Sequence, residues 1–112
     1  MKDCLFCKII KGEIPAKKVF DDTRFCVIED INPQAPVHLL ILPKKHLPTL
    51  LHLEEGDHEL AGAAFSVANQ LARKRNLTGF RLVINCGAEA GQSVFHIHYH
   101  FLGGRAMTWP PG

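Results

Sequence analysis

The stretch that most constrains this chain is Gly91-Gln92-Ser93-Val94-Phe95-His96-Ile97-His98-Tyr99-His100-Phe101-Leu102-Gly103-Gly104. Three histidines occupy strictly alternate positions, and Phe95, Ile97, Tyr99 and Phe101 stand between and beside them. Side chains alternate between the two faces of a β-strand, so the pattern predicts a strand with one apolar face and a row of imidazoles on the other. Imidazole nitrogens need polar partners, which makes such a row poor core material. A merely solvated strand face is the plain alternative. Three of the seven histidines at one spacing, between a Gly-Gln-Ser turn and a Gly-Gly turn, point to a site instead.

Two chemistries use such a row. His-x-His on a strand is a common zinc ligand pair. A rise of about 3.3 Å per residue, however, separates His96 from His100 by about 13 Å along the backbone, too far for one metal to gather all three rings. The other chemistry is nucleophilic: a neutral imidazole, with an ordinary pKa of about 6.5, attacks phosphorus at physiological pH while its neighbours orient the substrate. The spacing favours this second use.

At 112 residues the chain makes one domain with room for a real core. A net charge of +2 with both signs interspersed leaves no footprint for nucleic acid or a membrane surface. No stretch approaches the roughly 20 apolar residues of a membrane span. Met1-Lys2-Asp3 leads straight into Cys4-Leu5-Phe6-Cys7 without a signal-like apolar run. Cys4, Cys7, Cys26 and Cys86 fit reduced thiols better than a disulfide framework, so the expected setting is the cytoplasm.

Asp3 is expected to cap a short helix over 5–11, with Gly12 as its stop. Residues 18–20 and 24–28 read as strands around an Asp-Asp-Thr turn, 37–42 as a strongly apolar strand and 79–86 as another. Pro33 and Pro36 break the segment between the second and third strands, and Pro48 keeps 43–53 irregular. Leu60, Ala64, Val67, Ala68 and Leu71 recur at helical spacing in a long helix over about 54–75. Acidic residues near its start and Arg73, Lys74 and Arg75 near its end complement the helix dipole. Five strands and one long helix predict an α+β domain with a mostly antiparallel sheet; the tail over 103–112 is expected to be irregular.

The run from Gln92 to Leu102 resembles the signature of the histidine triad superfamily. The Gly-Gly-Arg and Met-x-Trp-Pro-Pro-Gly ending is similar to its histidine triad nucleotide-binding branch. Asp30-Ile31-x-Pro33-Gln34-Ala35-Pro36-x-His38 and Leu42-Pro43-Lys44-Lys45-His46 also look like family segments, in the expected order. This resemblance implies a homodimer whose sheets join into one of ten strands, with the tail near the partner's site. It also implies hydrolysis of the P–N bond in purine nucleoside phosphoramidates. By position, His98 would be the nucleophile forming a nucleotidyl-histidine, flanked by His96 and His100, with His38 completing the set. Ser93 and Asn85 would bind the phosphate or leaving group, with Gln92 and the backbone of the 91–94 turn beside them. Asp30 would hold the ribose hydroxyls. Leu5, Phe6, Ile9, Ile14, Ile28 and Ile31 would enclose the base.

The chemistry of the residues is compatible with these roles. A phosphoryl centre with dispersed negative charge calls for preorganised donors, and hydroxyl, amide and imidazole groups supply them. No carboxylate pair stands on the histidine strand or its flanking turns to hold magnesium. The sequence departs from the family at Ile28, where many relatives carry an aromatic residue, so apolar contact with a base replaces stacking. It also carries Cys4-x-x-Cys7. Some relatives use such a pair with histidines at the positions of His46 and His96 to hold zinc, and two thiolates with two imidazoles make a closed, structural tetrahedral site. A dinucleoside polyphosphate hydrolase and a nucleotide-binding or scaffold protein with incidental turnover are the alternative functions.

Overall fold

The computed structural model describes residues 3–112. A short helix α1 (Leu5–Ile10) is followed by strands β1 (Lys18–Asp21), β2 (Phe25–Glu29) and β3 (Val37–Pro43). The long helix α2 (His58–Lys74) comes next, then β4 (Phe80–Val83) and β5 (Tyr99–Gly103). The five strands form one sheet in the order β1-β2-β3-β5-β4, with every pairing antiparallel. The α+β expectation therefore holds, and the sheet is antiparallel throughout.

Strand alternation divides the core into two layers. Phe25, Val27, Leu39, Ile41, Tyr99 and Phe101 point to one face and pack against Ala64, Val67, Ala68 and Leu71 of α2. The small side chains of α2 let its backbone lie close to the sheet, and the Tyr99 hydroxyl donates to the Ala61 carbonyl at 2.8 Å. Cys26, Ile28, Leu40 and Leu42 point to the other face, where Phe6 and Ile9 of α1 cover part of them. Part of this second face stays open. His38 and His100 belong to it.

Several boundaries differ from the sequence expectations, each for a local reason. Asp3 does not cap α1: Cys4 takes the N-cap, and its Sγ accepts the Cys7 N–H at 3.3 Å. The β1–β2 turn is closed by Asp22, whose Oδ1 accepts from the Arg24 and Phe25 N–H groups. Before α2, Glu54 and Asp57 form a capping box, so the first turn is 3-10 and the α-helix starts at His58. The largest departure is in the histidine stretch. β5 begins only at Tyr99, and residues 93–98 run outside the sheet. The imidazoles are consequently not one row.

Candidate active site

Among the described residues, 93–98 have no strand partner, so side chains and single backbone bonds fix their path. Gly91 adopts φ +95°, which favours glycine, and turns the chain back toward Asn85. Gln92 is buried; its amide accepts from the Gly87 N–H and donates to the carbonyls of Pro48 and Val94. The Ile97 N–H donates to the Leu47 carbonyl at 2.8 Å. Gln92 thus holds the turn together and does not line the neighbouring cavity.

That cavity, about 580 Å³ in volume, lies between α1 and the open part of the sheet. Its polar end is formed by Asp30, Asn85, Ser93, His98 and His100. Its apolar end is formed by Leu5, Phe6, Ile9, Ile14, Ile28 and Ile31, with Ile31 fully exposed at the mouth. Sequence reasoning missed Lys17 and Glu29 on the same wall, where they form an exposed ion pair at 3.3 Å. Nothing local marks them. They meet because the β1–β2 register sets Lys18 opposite Ile28.

Hydrogen-bond partners set the tautomer of each ring. His98 Nδ1 donates to the His96 carbonyl at 2.8 Å, so the proton sits on Nδ1 and Nε2 keeps its lone pair. Phe6 makes a T-shaped contact with this ring, 5.0 Å between centroids. His38 Nδ1 accepts from the Gln34 N–H at 3.0 Å, which puts its proton on Nε2. That Nε2–H faces His100 Nδ1 at 3.0 Å and Asp30 Oδ2 at 3.4 Å. His100 accepts through Nδ1 and therefore carries its own proton on Nε2. The pair meets diagonally across the ladder, with Leu40 opposite His100 and His38 opposite Leu102. Although Asp30, His38 and His100 converge closely enough for a metal, His38 could ligate through Nε2 only as an imidazolate. This trio is a hydrogen-bond chain.

His96 faces elsewhere. It is fully buried, and its Nε2–H donates to the Pro43 carbonyl at 2.7 Å, leaving Nδ1 bare. Facing that nitrogen are Cys4 Sγ at 3.4 Å, Cys7 Sγ at 3.6 Å and His46 Nδ1 at 3.2 Å; Cys7 Sγ also lies 3.4 Å from His46 Nδ1. Bond lengths of about 2.1 Å to nitrogen and 2.3 Å to sulfur give a tetrahedral zinc site edges of about 3.4 Å (N–N) and 3.6 Å (N–S). The four donors fit zinc. Burial pushes His96 down to about 4 and also lowers His46, so both rings are neutral and able to ligate at pH 7. Burial and the neighbouring Cys4 raise the Cys7 thiol, so a cation is needed to draw off its proton.

Burial also lowers the pKa of His38 and His100 below the usual 6.5, with the Asp30 carboxylate partly opposing it in both. Just below pH 6.5 the unfolded chain then binds more protons than the native one. The stability tied to these neutral rings is complete above about 6.5 and is lost as pH falls. The melting temperature of metal-free protein is expected to drop between pH 7.5 and 5, and His38→Gln to make that drop smaller. Equal slopes for the two proteins would contradict the coupling assigned to His38.

The family described as scavenger mRNA decapping enzyme C-term binding matches residues 3–109. A HIT-like protein of Synechocystis, itself uncharacterized, is 50% identical over 99% of this chain and 98% of its own. The chain belongs to the histidine triad superfamily. Its fold matches the crystal structure of a HIT family hydrolase from Legionella pneumophila with a TM-score of 0.95 and 52% identity, covering 98% of this chain and all of that one. A zinc-bound histidine triad family protein of Mycobacterium smegmatis matches with a TM-score of 0.81 and 33% identity, over 93% of this chain and 76% of that one. Within this superfamily fold, His98 and His100 line the cavity, His38 stands behind His100, and His96 turns into the thiol cluster.

Proposed function

We propose that this protein is a purine nucleoside phosphoramidase of the histidine triad nucleotide-binding branch, using His98 as its nucleophile. The observation that carries this reading is the His98 tautomer. A ring whose Nδ1–H is held by a backbone carbonyl keeps its Nε2 lone pair for attack, and it does so in a cavity that also holds Ser93, Asn85 and His100. His98 Nε2 bonds to phosphorus as the P–N bond breaks, and the departing amine takes a proton. Water then attacks the nucleotidyl-histidine, releasing AMP and restoring the ring. His100, with its proton on Nε2 and its Nδ1 held by His38, donates to a phosphoryl oxygen. Asp30 receives the ribose hydroxyls, and the apolar wall from Leu5 to Ile31 receives the base.

Zinc on Cys4, Cys7, His46 and His96 belongs to the same reading. Four protein ligands leave no open position, so its role is to hold structure and not to activate water. The reading further includes a homodimer in which the edge strand β4 extends the sheet to ten strands. The tail, with Trp109 largely exposed, would then reach the partner's cavity. Four cysteines outside any disulfide accord with the reducing cytoplasm.

The test compares adenosine phosphoramidate, a diadenosine polyphosphate and AMP as ligands. Release of AMP and amine from the first, at least about 100-fold faster than cleavage of the second, is expected. Faster polyphosphate cleavage would replace this reading with the dinucleoside hydrolase. Tight AMP binding with no turnover of either would make the protein a nucleotide-binding module.

A further inference from the structure

We infer that zinc and nucleotide bind cooperatively, because the thiol–imidazole cluster holds two of the walls that enclose the nucleotide. This rests on the zinc and nucleotide readings above and adds a coupling between them.

The first wall is α1. Cys4 caps this helix and Cys7 lies on it between Phe6 and Ile9, both of which face the cavity. A helix of six residues is too short to persist by itself and depends on what it is tied to. Its ties are the packing of Phe6 and Ile9 on the sheet and the two sulfurs in the cluster. The second wall is the segment over 93–98. Ser93 and Val94 line the cavity, and the His96 carbonyl orients the His98 ring. Outside the sheet, this segment is held by the bonds of Gln92, by the Ile97 N–H and by the buried His96 side chain. One cluster therefore fastens both walls to each other and, through His46, to the chain following β3.

His96 Nδ1 lies 3.2 Å from His46 Nδ1 and within 3.6 Å of both sulfurs, where a single shared proton can join only two of these atoms. Loss of the metal removes the one partner that attracts all four atoms. The walls then gain freedom that a nucleotide must remove on binding, which lowers its affinity. Linkage is reciprocal, so nucleotide must tighten zinc by the same factor. A cluster that merely stabilises a rigid wall would produce neither effect.

The experiment uses the full chain with AMP and zinc as probes. Zinc content is read by metal analysis, AMP affinity by calorimetry and retention of fold by far-UV circular dichroism. Removing zinc from wild type is expected to weaken AMP binding about tenfold, within the usual range of coupling factors, and restoring it to reverse the loss. Saturating AMP is expected to raise zinc affinity by the same factor, measured by competition with a chromophoric chelator. Amide exchange over residues 4–14 should quicken in the stripped protein. Cys4→Ser, folded but depleted of zinc, should bind AMP weakly and without response to added zinc. Equal AMP affinity with and without zinc would overturn the coupling while leaving both sites standing. Failure to take up zinc, or failure to bind AMP in any state, would overturn it together with the corresponding reading, and the separate readouts identify which.

Discussion

His98→Ala is expected to lower turnover of adenosine phosphoramidate by about 10⁴-fold or more, the scale seen when an enzyme loses its nucleophile. The ring does two things that alanine cannot. In the proposed reaction it presents Nε2 to phosphorus, and it is anchored through Nδ1–H to the His96 carbonyl at 2.8 Å. Intact mass after an early quench should show an added adenylyl group on wild type and none on the variant. AMP binding should change far less than turnover, because Asp30 and the apolar wall remain. A variant retaining more than about a tenth of wild-type turnover would exclude His98 as the nucleophile. Turnover without an added mass would mean that the covalent species is short-lived, and burst kinetics would then decide.

The second large effect concerns stability. Phe101→Ala is expected to destabilise the fold by about 3–5 kcal/mol, the usual cost of emptying a phenyl-sized site in a packed core. Phe101 is fully buried, stacks on Phe80 at 4.7 Å between centroids, and lies opposite Leu39 on one neighbouring strand and Leu82 on the other. A loss of that size lowers the melting temperature of a domain of this length by about 10–20 °C. Since Phe101 directly follows His100, the variant tests whether the core beneath the site keeps the histidines in register. A shift under about 3 °C would show that the neighbouring side chains close the space.

Much of this was legible in the chain because the signals are local. Alternation between Tyr99 and Phe101 named the buried face of β5, and the spacing of Ala64, Val67, Ala68 and Leu71 named the buried face of α2. The same alternation misled at His96 and His98. Periodicity reports which side chains would share a face if the strand continued; it carries no information on whether a partner strand is present. Among the described residues none accompanies 93–98, so their directions are set by Gln92, Pro43 and Leu47. Nothing local in the chain marks Gln92 as the residue whose amide closes this turn. Lys17 and Glu29 carry no such mark, because an exposed charge on or beside a short strand looks like any other.

By itself, the sequence determined the antiparallel α+β fold, the two faces of its sheet and the residue types able to attack phosphorus or bind zinc. Those follow from short-range spacing, and spacing is written in the chain. Only the tertiary structure decided which atoms the four central imidazoles face. Cys4 reaches His96 across 92 residues, and His38 reaches His100 across 62. A histidine's tautomer, and hence whether it ligates, relays or attacks, depends on the one atom hydrogen-bonded to its other nitrogen, and folding brings that atom from elsewhere in the chain.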